Sequence, residues 1–295
     1  MRNALSAMKQ LIINADDFGL SEGANRAIIT AFREGILTSA SLMVGGAAFD
    51  QAVSLAMENR GLQVGLHLTL VHGRAALPAD EIPGLVDRAG RFTDNPVQAG
   101  MRYFFNKNLR RELFREIERQ IQKIRSVGVP LSHVDGHLNI HMHPVVFDIL
   151  LELMPKYGIT SFRLTRESLP PNLAVDRHRF IGKLLDAFIF SSLARRCRPK
   201  LEKLGISFAG EVKGLLNSGR MTEGYLLGAL DSINEGITEI YFHPGCYPCS
   251  ELQGLMPDYL HEQELAALTS PMVKEKLALL GVRLRNYRGE GKTYA

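Results

Sequence analysis

Short apolar runs rich in β-branched residues alternate with longer stretches of helical periodicity, and this rhythm limits what the 295-residue chain can fold into. It is the mark of βαβ units, in which parallel strands are joined through crossover helices. Strands are predicted at 11–15, 38–44, 62–68, 131–137, 160–164, 206–212 and 237–243. Seven or eight such units close most easily into a barrel, so the expected fold is α/β, an irregular (β/α) barrel of about seven parallel strands. A helix is predicted over about 107–127, where Leu109, Leu113, Ile117, Ile121 and Ile124 recur at helical spacing and Gly128 supplies the stop. A second starts at Pro144, suited to a first helical turn, and runs to Tyr157 before Gly158. Between about 72 and 106 the periodicity gives way to Pro, Gly and Asp punctuation, the pattern of an irregular insertion. No repeat or low-complexity linker interrupts the chain, so residues 1–295 are expected to form a single domain.

Charge and cysteine content narrow the class. Lys and Arg number 35 against 31 Asp and Glu, interspersed without a long tract, so nucleic acid is not an expected partner. Cys197, Cys246 and Cys249 are too few for a disulfide framework, and an odd count fits a reducing compartment. Cytoplasm is the expected location. The first apolar run, Leu11 to Ala15, is cut short by Asp16 and Asp17, too early for a signal peptide, and no stretch reaches the ~20 apolar residues of a spanning helix.

The chemistry-bearing residues gather at predicted strand ends. Seven of nine histidines fall in three places: His67 and His72; His133, His137, His141 and His143; and His243. In a parallel barrel the carboxyl ends of the strands converge on one face, where Asp16 and Asp17 would meet them. His133, Asp135 and His137 are spaced two apart and so share one face of their strand. A single histidine in such a place usually hydrogen-bonds the backbone or meets solvent. The set, joined by an Asp pair, points instead to a site that holds a metal. Cys246 and Cys249 form a C-x-x-C with no second pair to complete a zinc knuckle, and are read as turn residues near the pocket rim.

Four ordered segments carry a family likeness: NADDFGLSEGAN at 14–25, GLHLTL at 65–70, SHVDGH with His141 following, and HPG at 243–245. Together they resemble the motifs of the YdjC-like carbohydrate deacetylases. The resemblance implies a barrel of the glycoside hydrolase/deacetylase type, with Asp17, His67 and His137 holding one divalent metal ion and Asp16 acting as base. An amide carbonyl is a poor electrophile and water a poor nucleophile, which is why such a reaction needs a metal with open positions and a nearby base. The departing amine needs a proton. His243 is the expected general acid, with His141 in reserve. Two imidazoles and a carboxylate suit zinc, whereas the family is often described with magnesium, so Zn and Mg both stay open. Arg163, at a predicted strand end, is expected to bind substrate hydroxyls or orient Asp16. Asp135, His141, Tyr103 and Phe105 are further expected substrate contacts.

Within the family, SASLMVGG at 39–46, LHLTLVHGRAALP at 66–78 and MRYFF at 101–105 are most similar to the hopanoid-biosynthesis-associated HpnK branch. That likeness implies N-deacetylation of an N-acetylglucosamine unit on a lipid. A soluble chitooligosaccharide such as diacetylchitobiose is the alternative substrate, and a non-catalytic sugar-binding or regulatory barrel the alternative of another class. Residues 180–193 (FIGKLLDAFIFSSL) are apolar and followed by Arg195, Arg196, Arg198 and Lys200. An ordinary helix buried on the barrel has this composition, and so does one that makes peripheral membrane contact through about 180–200. A homo-oligomer is compatible with all of this.

Overall fold

A computed structural model describes residues 8–292. The amino-terminal half runs β1 (Lys9–Phe18), α1 (Glu22–Glu34), β2 (Ser39–Leu42), α2 (Phe49–Glu58), β3 (Gln63–Leu68), α3 (Pro96–Phe105), α4 (Leu109–Ser126), β4 (Leu131–Gly136) and α5 (Pro144–Tyr157). There follow α6 (Leu169–Val175), α7 (Phe180–Lys203), β5 (Glu211–Lys213), α8 (Glu223–Leu230) and β6 (Gly236–Phe242). Three helices, α9 (Ser250–Leu255), α10 (His261–Thr269) and α11 (Pro271–Leu279), then lead to β7 (Arg283–Arg285) and β8 (Gly291–Lys292).

Strands β4, β3, β2, β1, β6 and β5 lie in that order and pair in parallel, giving a curled sheet with helices outside it. Strands covered on both faces read as nearly continuous apolar runs, and β1 is buried from Gln10 to Phe18. The predicted strand at 160–164 is reduced to single parallel bridges, Val134 to Phe162 and Ser161 to Ser207, and 206–212 keeps ladder pairing only in β5. These bridges carry the pairing from the β4 edge towards β5, so the sheet closes irregularly. The short β7 joins β1 at Gln10 and Leu11 and pairs antiparallel with β8, an addition absent from the sequence reading.

Local chemistry explains the helices. Ser21 caps α1 by accepting from the Ala24 amide at 3.1 Å, with Glu22 in the first turn. Leu109, Leu113, Ile117, Ile121 and Ile124 bury one stripe of α4 as their spacing predicted. Pro144 opens α5 and Gly158 ends it in the left-handed region, with φ of 66°. Residues 72–94 hold isolated bridges, but Pro96–Phe105 is helical, capped by Asn95, whose side chain accepts from Gln98. The α7 segment is neither fully buried nor long and apolar enough to span a bilayer, a property no helix among the described residues has.

Candidate metal centre

Register places the first pairs of side chains. In the β3–β4 ladder His67 lies opposite Asp135, and in the β1–β6 ladder Ala15 lies opposite Phe242, so Asp16 and His243 follow as neighbours one step on. His67 Nδ1 donates to Asp135 Oδ1 at 2.9 Å, which turns Nε2 to within 3.3 Å of Asp17 Oδ1. His137 begins the turn after β4 and sets Nδ1 3.1 Å from that same oxygen. Asp17 itself stands at φ of 63°, a left-handed conformation that aspartate tolerates better than most residues. All three are buried, and one donor atom from each lies within 4.8 Å of the others.

These residues fit a divalent cation. Asp17 Oδ2 is buried without a hydrogen-bond partner, an arrangement that costs free energy unless something positive shares the space. Two imidazoles and one carboxylate are a ligand set that divalent transition metals accept. Asp16, His67 and Asp135 form a second cluster of suitable span, but the oxygens of both its carboxylates are already engaged by Arg163 and neighbouring side chains. The first cluster is therefore the better cradle.

Electrostatics bind the group together. Burial works to raise the Asp17 carboxyl, but the His137 and His67 imidazoles outweigh it and hold Asp17 well below the usual carboxylate range. Burial likewise opposes protonation of His67, yet Asp135, Asp16 and Asp17 prevail and push it up to about 10. Without a metal, the His67 proton thus supplies the positive charge that three carboxylates require. A cation held by Asp17, His67 and His137 would take the place of that proton.

Beneath the cradle lies Arg163, fully enclosed. Its two terminal nitrogens donate to both Asp16 oxygens at 2.7 Å, one also reaches Asp135 Oδ2 at 2.8 Å, and Nε donates to Glu239 at 2.7 Å. A forked guanidinium fixes a carboxylate in orientation as well as position. Asn14 adds donations to Asp16 at 2.9 Å and to Ser41 at 2.8 Å, while Ser41 donates to Asp135 at 2.6 Å. Tyr241 lies with its ring 4.4 Å from the Arg163 guanidinium carbon.

Above the cradle a cavity of about 380 Å³ is lined in part by Asp16, His67, His137, His243, Tyr241 and Tyr259. His243 Nε2 faces Asp16 Oδ2 at 4.0 Å. Burial depresses its pKa, partly offset by Asp17 and Asp16. Its backbone is fixed at both ends, for His243 N donates to the buried Glu264 carboxylate and its carbonyl accepts from His261 Nδ1 at 2.7 Å. Through His72 and Leu255 the cavity adjoins a larger groove of about 810 Å³, bordered by Arg74, Asp87, Thr93, Asp94 and Gln98 as well as Met43 and Leu85.

The structure thus brings Asp16, Asp17, His67, His137 and His243 together, as the sequence predicted. The five residues expected at substrate do not line the cavity. Asp135 and Arg163 are wholly buried behind His67 and Asp16, too deep to reach a ligand. His141 is enclosed too, with Nε2 donating to the Arg163 carbonyl at 2.9 Å and burial lowering its pKa to about 4, which removes it as a reserve acid. Tyr103 is buried and donates its hydroxyl to the Leu70 carbonyl at 2.6 Å, anchoring α3, while Phe105 points to solvent. The sequence reading missed Glu239, Tyr241 and Ser41. Glu239 and Tyr241 on β6, with His243 just past its end, repeat the two-residue spacing already recognised at β4, so the signal was present. Cys246 and Cys249 belong to neither metal-competent cluster among the described residues.

Comparison with known proteins gives the chain its family. The YdjC-like protein family matches residues 10–279. A carbohydrate deacetylase of Geobacillus stearothermophilus is 30% identical over 279 residues, covering 94% of this chain and 96% of the relative. A carbohydrate deacetylase of Brevibacillus brevis is 39% identical over 150 residues, an alignment that spans about half of each protein, 51% of this chain and 57% of the relative. Among solved structures, a protein of Enterococcus faecalis V583 described as a cellobiose-phosphate cleavage protein superposes with a TM-score of 0.72 at 24% identity, covering 97% of this chain and all of its own. That likeness bears on the fold: a curled parallel sheet with helices. Motifs, matched span and relatives named carbohydrate deacetylases agree, and the chain belongs to the YdjC-like protein family.

Proposed function

We propose that this protein is a metal-dependent carbohydrate N-deacetylase that removes the acetyl group from an N-acetylglucosamine unit, carried on a lipid. The observation that supports the reaction is the pairing, in one cavity wall, of an Asp-His-His cradle with a second carboxylate outside it. Binding a cation does not by itself require Asp16, and a merely sugar-binding barrel would have no use for it. Asp17, His67 and His137 would hold the cation. When bound, such a cation supplies Lewis acidity towards an amide carbonyl and a lowered pKa for water.

The residues of the chain then divide the proton traffic. Asp16, clamped by Arg163 yet open to the cavity, accepts a proton from the attacking water. His243, neutral at rest because it is buried, stands 4.0 Å from Asp16 across the cavity, a gap that one water can bridge to carry that proton on to the departing nitrogen. Water and amide thereby become acetate and free amine. Tyr259 supplies a flat wall on which a sugar ring can lie.

The lipid carrier is supported by the likeness to the hopanoid-associated branch and by apolar side chains at the cavity rim, Leu138, Phe190 and Leu255. The groove beyond His72, where Arg74, Asp87, Thr93, Asp94 and Gln98 stand among apolar side chains, favours a second reading, a soluble chitooligosaccharide whose further sugars extend along it. Acetate release from an N-acetylglucosaminyl lipid and from diacetylchitobiose, each with and without a chelator, tests both. The lipid glycoside should be deacetylated faster, and the chelator should abolish the reaction. Faster turnover of the soluble sugar would overturn the lipid assignment, and chelator-resistant turnover the metal-dependent one.

A further inference from the structure

We infer that α3 and α7 form a docking face for an anionic lipid bilayer, beside the mouth of the metal-site cavity. In α7, Phe180, Ile181, Leu184, Leu185, Phe188 and Ile189 are exposed, Ile181 by 80% and Phe188 by 71%. They form one helical stripe, while Lys183, Ala187, Ala194, Cys197 and Leu201 are buried and seat the helix on the protein. Isolated surface leucines are ordinary, but a contiguous stripe of this kind marks a contact surface.

The stripe ends in cations. At helical spacing it runs on to Arg195 and Arg196, and exposed Arg177, His178 and Arg179 stand at its other end. Between residues 177 and 200 the chain has seven Lys and Arg against one acidic residue, Asp186, which lines the cavity. Of the seven, Lys183 is buried against Asp176, Arg198 lies 3.8 Å from Glu202, and Arg196 and Lys200 are shared with Asp148 on α5. That leaves Arg177, Arg179 and Arg195 as the free cations of the face among the described residues.

The second helix repeats the design independently. Val97, Met101, Phe104 and Phe105 lie at i, i+4, i+7 and i+8 on α3, Val97 exposed by 73% and Phe105 by 70%, and exposed Lys107, Arg110 and Arg111 follow. Both helices pack beside the start of α5: the Phe104 ring lies 6.3 Å from that of His143, which caps α5, and α7 holds Asp148. Exposed Leu138, on the turn that carries His137, lines the cavity, as do Arg179 and Phe190 of the α7 region.

Apolar side chains flanked by basic ones are what a helix lying in a bilayer interface needs. A second copy of the chain fits less well, since a two-fold contact would bring the same arginine clusters towards one another, whereas lipid phosphates neutralise them. This surface would present the cavity to a sugar standing on a lipid, and in that purpose the inference rests on the deacetylase reading above.

Co-sedimentation with vesicles of phosphatidylcholine, alone and mixed with phosphatidylglycerol, tests it. The full chain should bind the mixed vesicles, and about tenfold less well when the anionic lipid is omitted or salt is raised. The pairs Ile181→Ser/Phe188→Ser and Val97→Ser/Met101→Ser should each weaken vesicle binding about tenfold. Their circular dichroism and their acetate release from diacetylchitobiose should match the parent. A parent that stays in the supernatant overturns the inference, as does a parent dimer that the serine pairs dissociate. Vesicle binding without deacetylation would instead sink only the catalytic reading.

Discussion

At the scale of single residues, the site rests on a division of labour between two adjacent aspartates. Asp17 is drawn to the imidazoles and keeps one oxygen without a hydrogen-bond partner, while Asp16 is turned away from them by Arg163. Asp16→Asn should therefore lower turnover by about 10²–10⁴-fold, the worth of a positioned base, while metal content measured by elemental analysis stays at the parent level. Normal turnover in that variant would take the base role from Asp16. Asp135 acts at one remove, through the hydrogen bond that aims His67. Asp135→Asn should weaken metal affinity about 10–100-fold, read by competition with a chromogenic chelator. Unchanged affinity would show that His67 needs no such support. The meeting of Asp17, His67 and His137 was legible because each stands at a strand end and the histidines cluster. The depth of Arg163, Asp135 and His141 was not, since alternation shows which face a side chain occupies but not how far below the rim it lies.

At the scale of elements, the glycine of GLHL shows how tightly two strands constrain one another. A Cβ added at Gly65 would fall 2.3–2.5 Å from the His133 ring, which is itself stacked on Tyr287 with ring centroids 3.6 Å apart. Neither the backbone of β3 nor the sandwiched imidazole can give way cheaply. Gly65→Ala is expected to cost about 1–3 kcal/mol or more, seen as a lower denaturation midpoint, and to reduce metal affinity because His67 is two residues along the same strand. Wild-type stability would mean that the His133 pocket is softer than its stacking on Tyr287 implies. The alternating pattern foretold β1, β3, β4 and β6 closely, because buried parallel strands declare themselves in apolar runs. It overstated 160–164, where the Arg163 carbonyl accepts from the His141 side chain and only isolated bridges form. It understated α3, whose start follows a loop dense in Pro, Gly and Asp that hides a capped helix.

At the scale of the whole molecule, the interior of the curled sheet is a charged layer that meets the cavity only at its Asp16 edge. Asp16, Asp135 and Glu239 surround Arg163, and His133 and His141 fill the remaining space as neutral rings. Burial lowers His133 to about 3 and His141 to about 4, against an ordinary 6.5. Between about pH 4 and 6.5 the unfolded chain binds protons at these positions that the folded chain refuses. Their contribution to stability is complete above pH 6.5 and is lost as pH falls towards those lower values. His67 runs the opposite way: raised to about 10, it stabilises the metal-free fold below pH 6.5 and loses that effect as pH climbs to 10. These three histidines together favour the metal-free fold most near neutrality, while buried Glu264, pushed up to about 7, works against them between about pH 4.5 and 7. On the acid side each buried histidine adds a slope of about 1.4 kcal/mol per pH unit. His141→Gln, whose amide can still donate to the Arg163 carbonyl, should remove one such share between pH 4.5 and 6 when urea unfolding is followed with chelator present. A slope equal to the parent's would mean that His141 is protonated in the folded protein and that the charged layer admits more water than its burial implies.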